Sequence, residues 1–109
     1  MLNINNILYF ACKYNKLNMV KYLVDEENAD VNFEYTNPKT RNIEPVLYIA
    51  SNNGHLEIVK FLIEKGAYVD TKTTKGYFSL YVASRNGYLD IVEFLIDQGA
   101  NINAKNFYG

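Results

Sequence analysis

The segment Gly54–Asp70, GHLEIVKFLIEKGAYVD, is followed by a near copy, GYLDIVEFLIDQGANIN, at Gly87–Asn103. The two lie 33 residues apart, and the same spacing links Ala50 to Ala83, Leu62 to Leu95, Gly66 to Gly99 and Gly76 to Gly109. Upstream, ILYFACKYNKLNMVKYLV matches VLYIASNNGHLEIVKFLI at a spacing of 39, pairing Ala11 with Ala50. One extra residue lies in DEENADVN, and the others lie between Asn32 and Pro45, in FEYTNPKTRNIE. A fixed period of this size is the signature of stacked repeats, each too small to bury its own apolar face. It predicts three units, at about 4–36, 43–72 and 76–105, with an insertion at about 33–44 and the opening of a fourth unit at 106–109. All of them form a single domain spanning residues 1–109.

Each unit reads as a short helix, a turn, a second helix and an extended loop. In the third copy, SLYVASRN places Leu80 and Ala83 on one side, and Gly87 breaks the helix. LDIVEFLIDQ then sets Leu89, Val92 and Ile96 at helical spacing, flanked by Ile91 and Leu95, and Gly99 follows as a C-terminal stop. Helices this short are not stable alone in water, so each must pack against the next copy. The first copy has Asn15 where the others have Gly54 and Gly87, and Asn28 near the place of Gly66 and Gly99. Asn is the non-glycine residue that best tolerates left-handed backbone angles, so the turn chemistry is kept.

The motifs ASNNGHLEIVKFLIEKGAYVD and ASRNGYLDIVEFLIDQGANIN, with Gly76 and Gly109 opening the later loops, resemble the ankyrin repeat family over nearly the whole chain. The resemblance implies an all-α ankyrin-repeat solenoid of stacked helix-turn-helix units with β-turn finger loops. It departs from the family at the start of the first helix, where a Thr-Pro-Leu-His tetrapeptide is usual. Here the residues are Asn6-Ile7-Leu8-Tyr9, Pro45-Val46-Leu47-Tyr48 and Phe78-Ser79-Leu80-Tyr81. The Thr–His hydrogen bonding is therefore lost, and Tyr9, Tyr48 and Tyr81 are expected to form a row through the stack, part packed and part hydrogen-bonded.

Catalytic chemistry finds little support. The lone histidine, His55, has Lys16 and Tyr88 as counterparts, so the position does not demand an imidazole. Cys12 aligns with Ser51 and Ser84 and reads as a small residue near the core; as the only cysteine it excludes an intrachain disulfide and a Cys/His metal cluster. The carboxylates Asp90, Glu93 and Asp97, and Glu57 with Glu64, sit at the spacing of a solvated helix face. The glycines are spaced for turns and not for cradling a phosphate. We therefore expect no enzyme, no cofactor and no metal site.

Composition narrows the partner. With 49% hydrophobic and 21% charged residues, the chain is not of the disordered class. A net charge of -1 and no evident basic stripe argue against nucleic acid. No apolar run is long enough to span a bilayer, and the start MLNINNILYFACKY lacks a secretory pattern, which points to an intracellular, cytoplasmic protein.

The resemblance implies a scaffold that binds another protein through its concave face, formed by loop tips and first helices. The residues placed there are Lys13, Tyr14, Asn42, Glu44, Asn52, Asn53, Lys75, Tyr77, Arg85, Asn86, Phe107 and Tyr108. They vary between otherwise matching copies. The insertion at 33–44 reads as a lengthened loop with a turn at TNPKT. An alternative is a structural segment of a longer array that self-associates through an uncapped C-terminal end.

Overall fold

In the computed structural model, which describes residues 3–103, the chain folds into three helix pairs stacked side by side. The order is α1 (Ile4–Lys13), α2 (Leu17–Asp25), strands β1 (Glu34–Thr36) and β2 (Ile43–Pro45), α3 (Val46–Asn52), α4 (Leu56–Glu64), α5 (Ser79–Arg85) and α6 (Leu89–Asp97). The first helices pack in a row, α1 on α3 on α5, and the second helices α2, α4 and α6 form the layer behind them. The core runs unbroken between the layers through Leu8, Val20, Leu47, Ile58, Leu62, Ile91 and Leu95, all essentially inaccessible to water.

The turns are built as the repeat alignment requires. Asn15, Gly54 and Gly87 have φ of 61°, 79° and 80°, and Asn28, Gly66 and Gly99 have 58°, 101° and 91°. The glycines are not all alike. A Cβ on Gly54 would come within 2.8 Å of the Tyr88 ring of the next unit, whereas one on Gly87 would have no atom of the described residues within 4 Å.

Two expectations need correction. The apolar stripe of α6 turned to the core is Ile91 and Leu95, while Leu89 is 70% exposed and Ile96 is exposed too. Six of the nine residues of this helix are apolar, so several stripes fit a 3.6-residue period and only neighbouring helices choose between them. The insertion is more than a lengthened loop. It forms an antiparallel hairpin with Tyr35 opposite Glu44 and Thr36 opposite Ile43. The Asn37 side chain closes its turn by accepting from the backbone N–H groups of Lys39 at 2.9 Å and Thr40 at 3.3 Å, and Arg41 takes the left-handed position with φ 65°.

Neighbouring units are tied at the loops by a recurring hydrogen bond. Asn32 Oδ1 accepts from the Tyr68 N–H at 2.9 Å, and Asp70 Oδ1 accepts from the Asn101 N–H at 3.2 Å. The fingers are joined as well: the Ile43 N–H donates to Thr74 Oγ1 at 2.7 Å, and the Thr74 N–H donates to the Ile43 carbonyl at 3.1 Å. His55 is part of this fabric, its Nε2 lying 3.0 Å from the Lys13 carbonyl oxygen of the preceding unit. Residues 104–109, with the start of a fourth unit and both Phe107 and Tyr108, lie outside the described residues.

Candidate functional site

The finger hairpin positions the first part of the site. Cross-strand partners project from the same face of a hairpin. Tyr35 and Glu44 are such partners, and both meet Tyr9 of α1. The Tyr35 and Tyr9 rings stack with centroids 4.0 Å apart, and the Tyr9 hydroxyl donates to Glu44 Oε1 at 2.6 Å. A short bond to a charged acceptor is among the stronger hydrogen bonds a protein makes. It takes over the fastening that the missing Thr–His pair would have supplied.

The second finger builds the other part. Thr73 holds its turn, accepting at Oγ1 from the Tyr77 N–H at 3.2 Å. Tyr77 then stacks on Tyr81 of α5, with centroids 5.3 Å apart and planes 8° from parallel. Arg85, one helical turn beyond Tyr81, lays its guanidinium over both rings, 6.0 and 5.9 Å from their centroids. Between the fingers lies a small open cleft of about 130 Å³ lined by Asn42, Glu44, Tyr48, Thr73, Lys75 and Tyr77. Five of the six come from the two fingers, and Tyr48 comes from α3.

Tyr9, Tyr48 and Tyr81 hold matching places on successive first helices, but among the described residues the rings of Tyr9 and Tyr81 stack on finger tyrosines, and the three do not stack on one another. Tyr9 and Tyr48 are buried, whereas Tyr81 is half-buried and flanked by its stack with Tyr77. Burial pushes the Tyr9 phenol far above its ordinary range, and Glu44 adds to the effect by hydrogen bond and charge. Burial also raises Tyr48, Glu44 adding to the shift and Arg85 opposing it. The fully buried Cys12 thiol is pushed up from 9.0 to about 12 by desolvation.

All three groups hold their protons more tightly when folded. Their contribution to stability is fully present below the unfolded pKa values and falls as the pH rises above them. From pH 9 towards 12, Cys12 alone is expected to lower the unfolding free energy by up to about 1.4 kcal/mol per pH unit. Urea titrations at pH 8, 10 and 11 check this, with Cys12→Ala expected to flatten the fall. A wild-type midpoint that stays level across that range would contradict it.

The expected contact residues within the described part fall into three groups. Glu44, Lys75, Tyr77 and Asn42 meet at the cleft, with Arg85 beside them on Tyr77. The other asparagines are engaged within the chain. The Asn86 amide donates to the Asn52 carbonyl oxygen at 2.9 Å and to Asn52 Oδ1 at 3.1 Å, and the Asn53 amide donates to the Ile49 carbonyl at 2.8 Å. Lys13 and Tyr14 stand apart at the end of α1, where the ammonium lies 5.5 Å from the Tyr14 ring centroid. Sequence reading missed the hydrogen-bonding role of Asn32 and Asp70. Their signal was the Asn or Asp at the same place in every copy, at 32, 70 and 103.

A basic face, not evident along the sequence, emerges from the fold. The fingers and first helices carry the exposed Lys39, Arg41, Lys72, Lys75 and Arg85 and the half-buried Lys13, with the exposed Glu34 and Asp70 and the half-buried Glu44 as their carboxylates. The second helices carry the opposite excess, Asp25, Glu57, Glu64, Asp90, Glu93 and Asp97 against Lys21 and Lys60. Among the described residues no three His, Cys, Asp or Glu side chains converge on a point that would hold a metal ion. No described helix is long and apolar enough to cross a membrane.

Comparison with known proteins agrees with this architecture. Alpha-latrotoxin-Lh1a of Latrodectus hasselti is 43% identical over 63 residues, which is 58% of this chain and 4% of the toxin. Alpha-latrocrustotoxin-Lt1a of Latrodectus tredecimguttatus is 39% identical over 67 residues, 60% of this chain and 4% of that toxin. A putative ankyrin repeat protein of Rickettsia bellii is 33% identical over 60 residues, 55% of this chain and 16% of the relative. The chain thus spans only a small part of the curated relatives it matches. A family model of ankyrin repeats in three copies matches residues 8–106, and with the stacked helix pairs, the finger loops and the left-handed turns in place, the chain belongs to the ankyrin repeat family.

Proposed function

We propose that this chain is a non-catalytic module, working inside the cell, that binds a protein partner across its fingers and first helices. Ankyrin repeats generally serve as protein–protein interaction modules, and that general role is the starting point. The observation that carries the reading is the Tyr77–Tyr81–Arg85 stack beside the inter-finger cleft. Interface energy concentrates in Tyr, Trp and Arg side chains held rigidly near the centre of a contact. Here two tyrosines and an arginine hold one another in place, so little side-chain freedom remains to be lost on binding.

The test uses the partner recovered with the intact protein. Replacing Tyr77 and Arg85 together by Ala is expected to weaken binding by more than about 2 kcal/mol in calorimetry, with the circular dichroism of the free protein unchanged. Charge reversal at Glu57, Glu64 and Asp97, all on second helices, is expected to leave the affinity nearly as it was. Loss of binding in the second variant and not in the first would move the interface to the opposite side.

A further inference from the structure

The net charge of -1 conceals a division of charge between two faces. Charge of one sign gathered on one face steers a partner of the opposite sign and sets its orientation. Among the described residues, the exposed cations of the finger face have no carboxylate within ion-pairing distance. The one ion pair among the described residues, Lys65 with Asp25 at 3.1 Å, lies on the second-helix side. Arg85 lies against the rings of Tyr77 and Tyr81, and Lys72 lies 5.7 Å from the centroid of Phe78. Aromatic faces hold these side chains without neutralising them.

We infer that the segment bound on this face is an acidic stretch of a protein, its carboxylates answering Lys39 and Arg41 at the tip of the first finger and Lys75 at the second. The inference rests on the proposed binding face and adds the chemistry of what binds there. The arrangement favours a peptide over a nucleic acid. A nucleic-acid strand carries a charge at every phosphate and needs a continuous basic track. Here Glu44 lies in the cleft between the two basic tips, and Glu34 lies on the first strand of the hairpin. A peptide can set its acidic residues opposite the cations and place neutral ones opposite Glu44. The tyrosine rings lining the cleft suit such uncharged side chains.

The experiment measures fluorescence anisotropy of the full chain with three labelled probes of equal length: a Glu/Ser peptide, a Lys/Ser peptide and an oligothymidylate. The Glu/Ser peptide is expected to bind at low salt and to weaken steeply towards physiological salt, as exposed charges are screened. Lys39→Glu, Arg41→Glu and Lys75→Glu together are expected to cost at least about tenfold in its affinity. The same reversal at Lys21 and Lys60, on the second helices, is expected to change it little. No binding of the Glu/Ser peptide, indifference to the finger variant, or equal binding of the oligothymidylate would each overturn the inference. The binding face itself is judged separately. A natural partner lost with Tyr77→Ala and Arg85→Ala, yet insensitive to salt and to finger reversal, leaves the face standing and removes its acidic ligand.

Discussion

Tyr48→Ala is expected to destabilise the protein by roughly 2–4 kcal/mol, the range for large-to-small changes at buried sites. Tyr48 is only 8% exposed, although it occupies a place where the family usually has a smaller, hydrogen-bonding histidine. Among the described residues its helix, α3, is the first helix of a pair that is packed on both sides, against α1 and against α5. Truncation would therefore open a void at the junction of two interfaces. The ring itself is what matters, because the Tyr48 hydroxyl has no side-chain hydrogen bond among the described residues, unlike that of Tyr9. Tyr48→Phe is accordingly expected to stay within about 0.5 kcal/mol of the parent. Urea melts of both variants decide the matter. An unchanged midpoint for the alanine variant would show that the ring contributes nothing to the stack.

Gly54→Ala is expected to cost about 2–4 kcal/mol, against about 1–2 kcal/mol for Gly87→Ala. The two glycines share a left-handed backbone, with φ of 79° and 80°, so the conformational penalty is common to both. The difference is steric. At Gly54 the new methyl would stand 2.8 Å from two carbons of the Tyr88 ring, which must move or be strained, while at Gly87 no atom of the described residues lies within 4 Å. Equal losses in the two variants would show that the Tyr88 ring swings away freely. The first unit manages this turn with Asn15, and the residue that matches Tyr88 in the unit after it is His55.

Much of this architecture was legible in the chain because repetition supplies its own alignment. The pairing of Asn15 with Gly54, and of Asn28 with Gly66, follows from position alone, and positive φ is found at all four. Where the copies say nothing, the sequence was a poorer guide. The hairpin has no counterpart elsewhere in the chain, and strands of three residues are too short to show an alternating pattern. In α6, apolar residues surround so much of the helix that only packing against α5 and α4 selects Ile91 and Leu95. The site was half legible. Position marked Tyr77 and Arg85, but their mutual stacking depends on the turn at Thr73, set by a hydroxyl that no spacing rule reveals. The charge division was present in the sequence all along. It disappears in any running total, because the cations Lys39, Arg41, Lys72, Lys75 and Arg85 alternate along the chain with the carboxylates of α4 and α6.

The ties between units have a bearing on how the chain folds. The side-chain hydrogen bonds that join one unit to the next span between 31 and 42 residues, about the length of a single repeat. Among the described residues none of these ties bridges the first unit to the third, so those two units are coupled through α3 and α4. In such a one-dimensional system, cooperativity is carried by nearest-neighbour coupling. The middle unit is the shared wall of both couplings, and a nucleus that includes it can grow in either direction. A fault there would part the described first and third units, each of them a single helix pair whose short helices do not persist in water on their own.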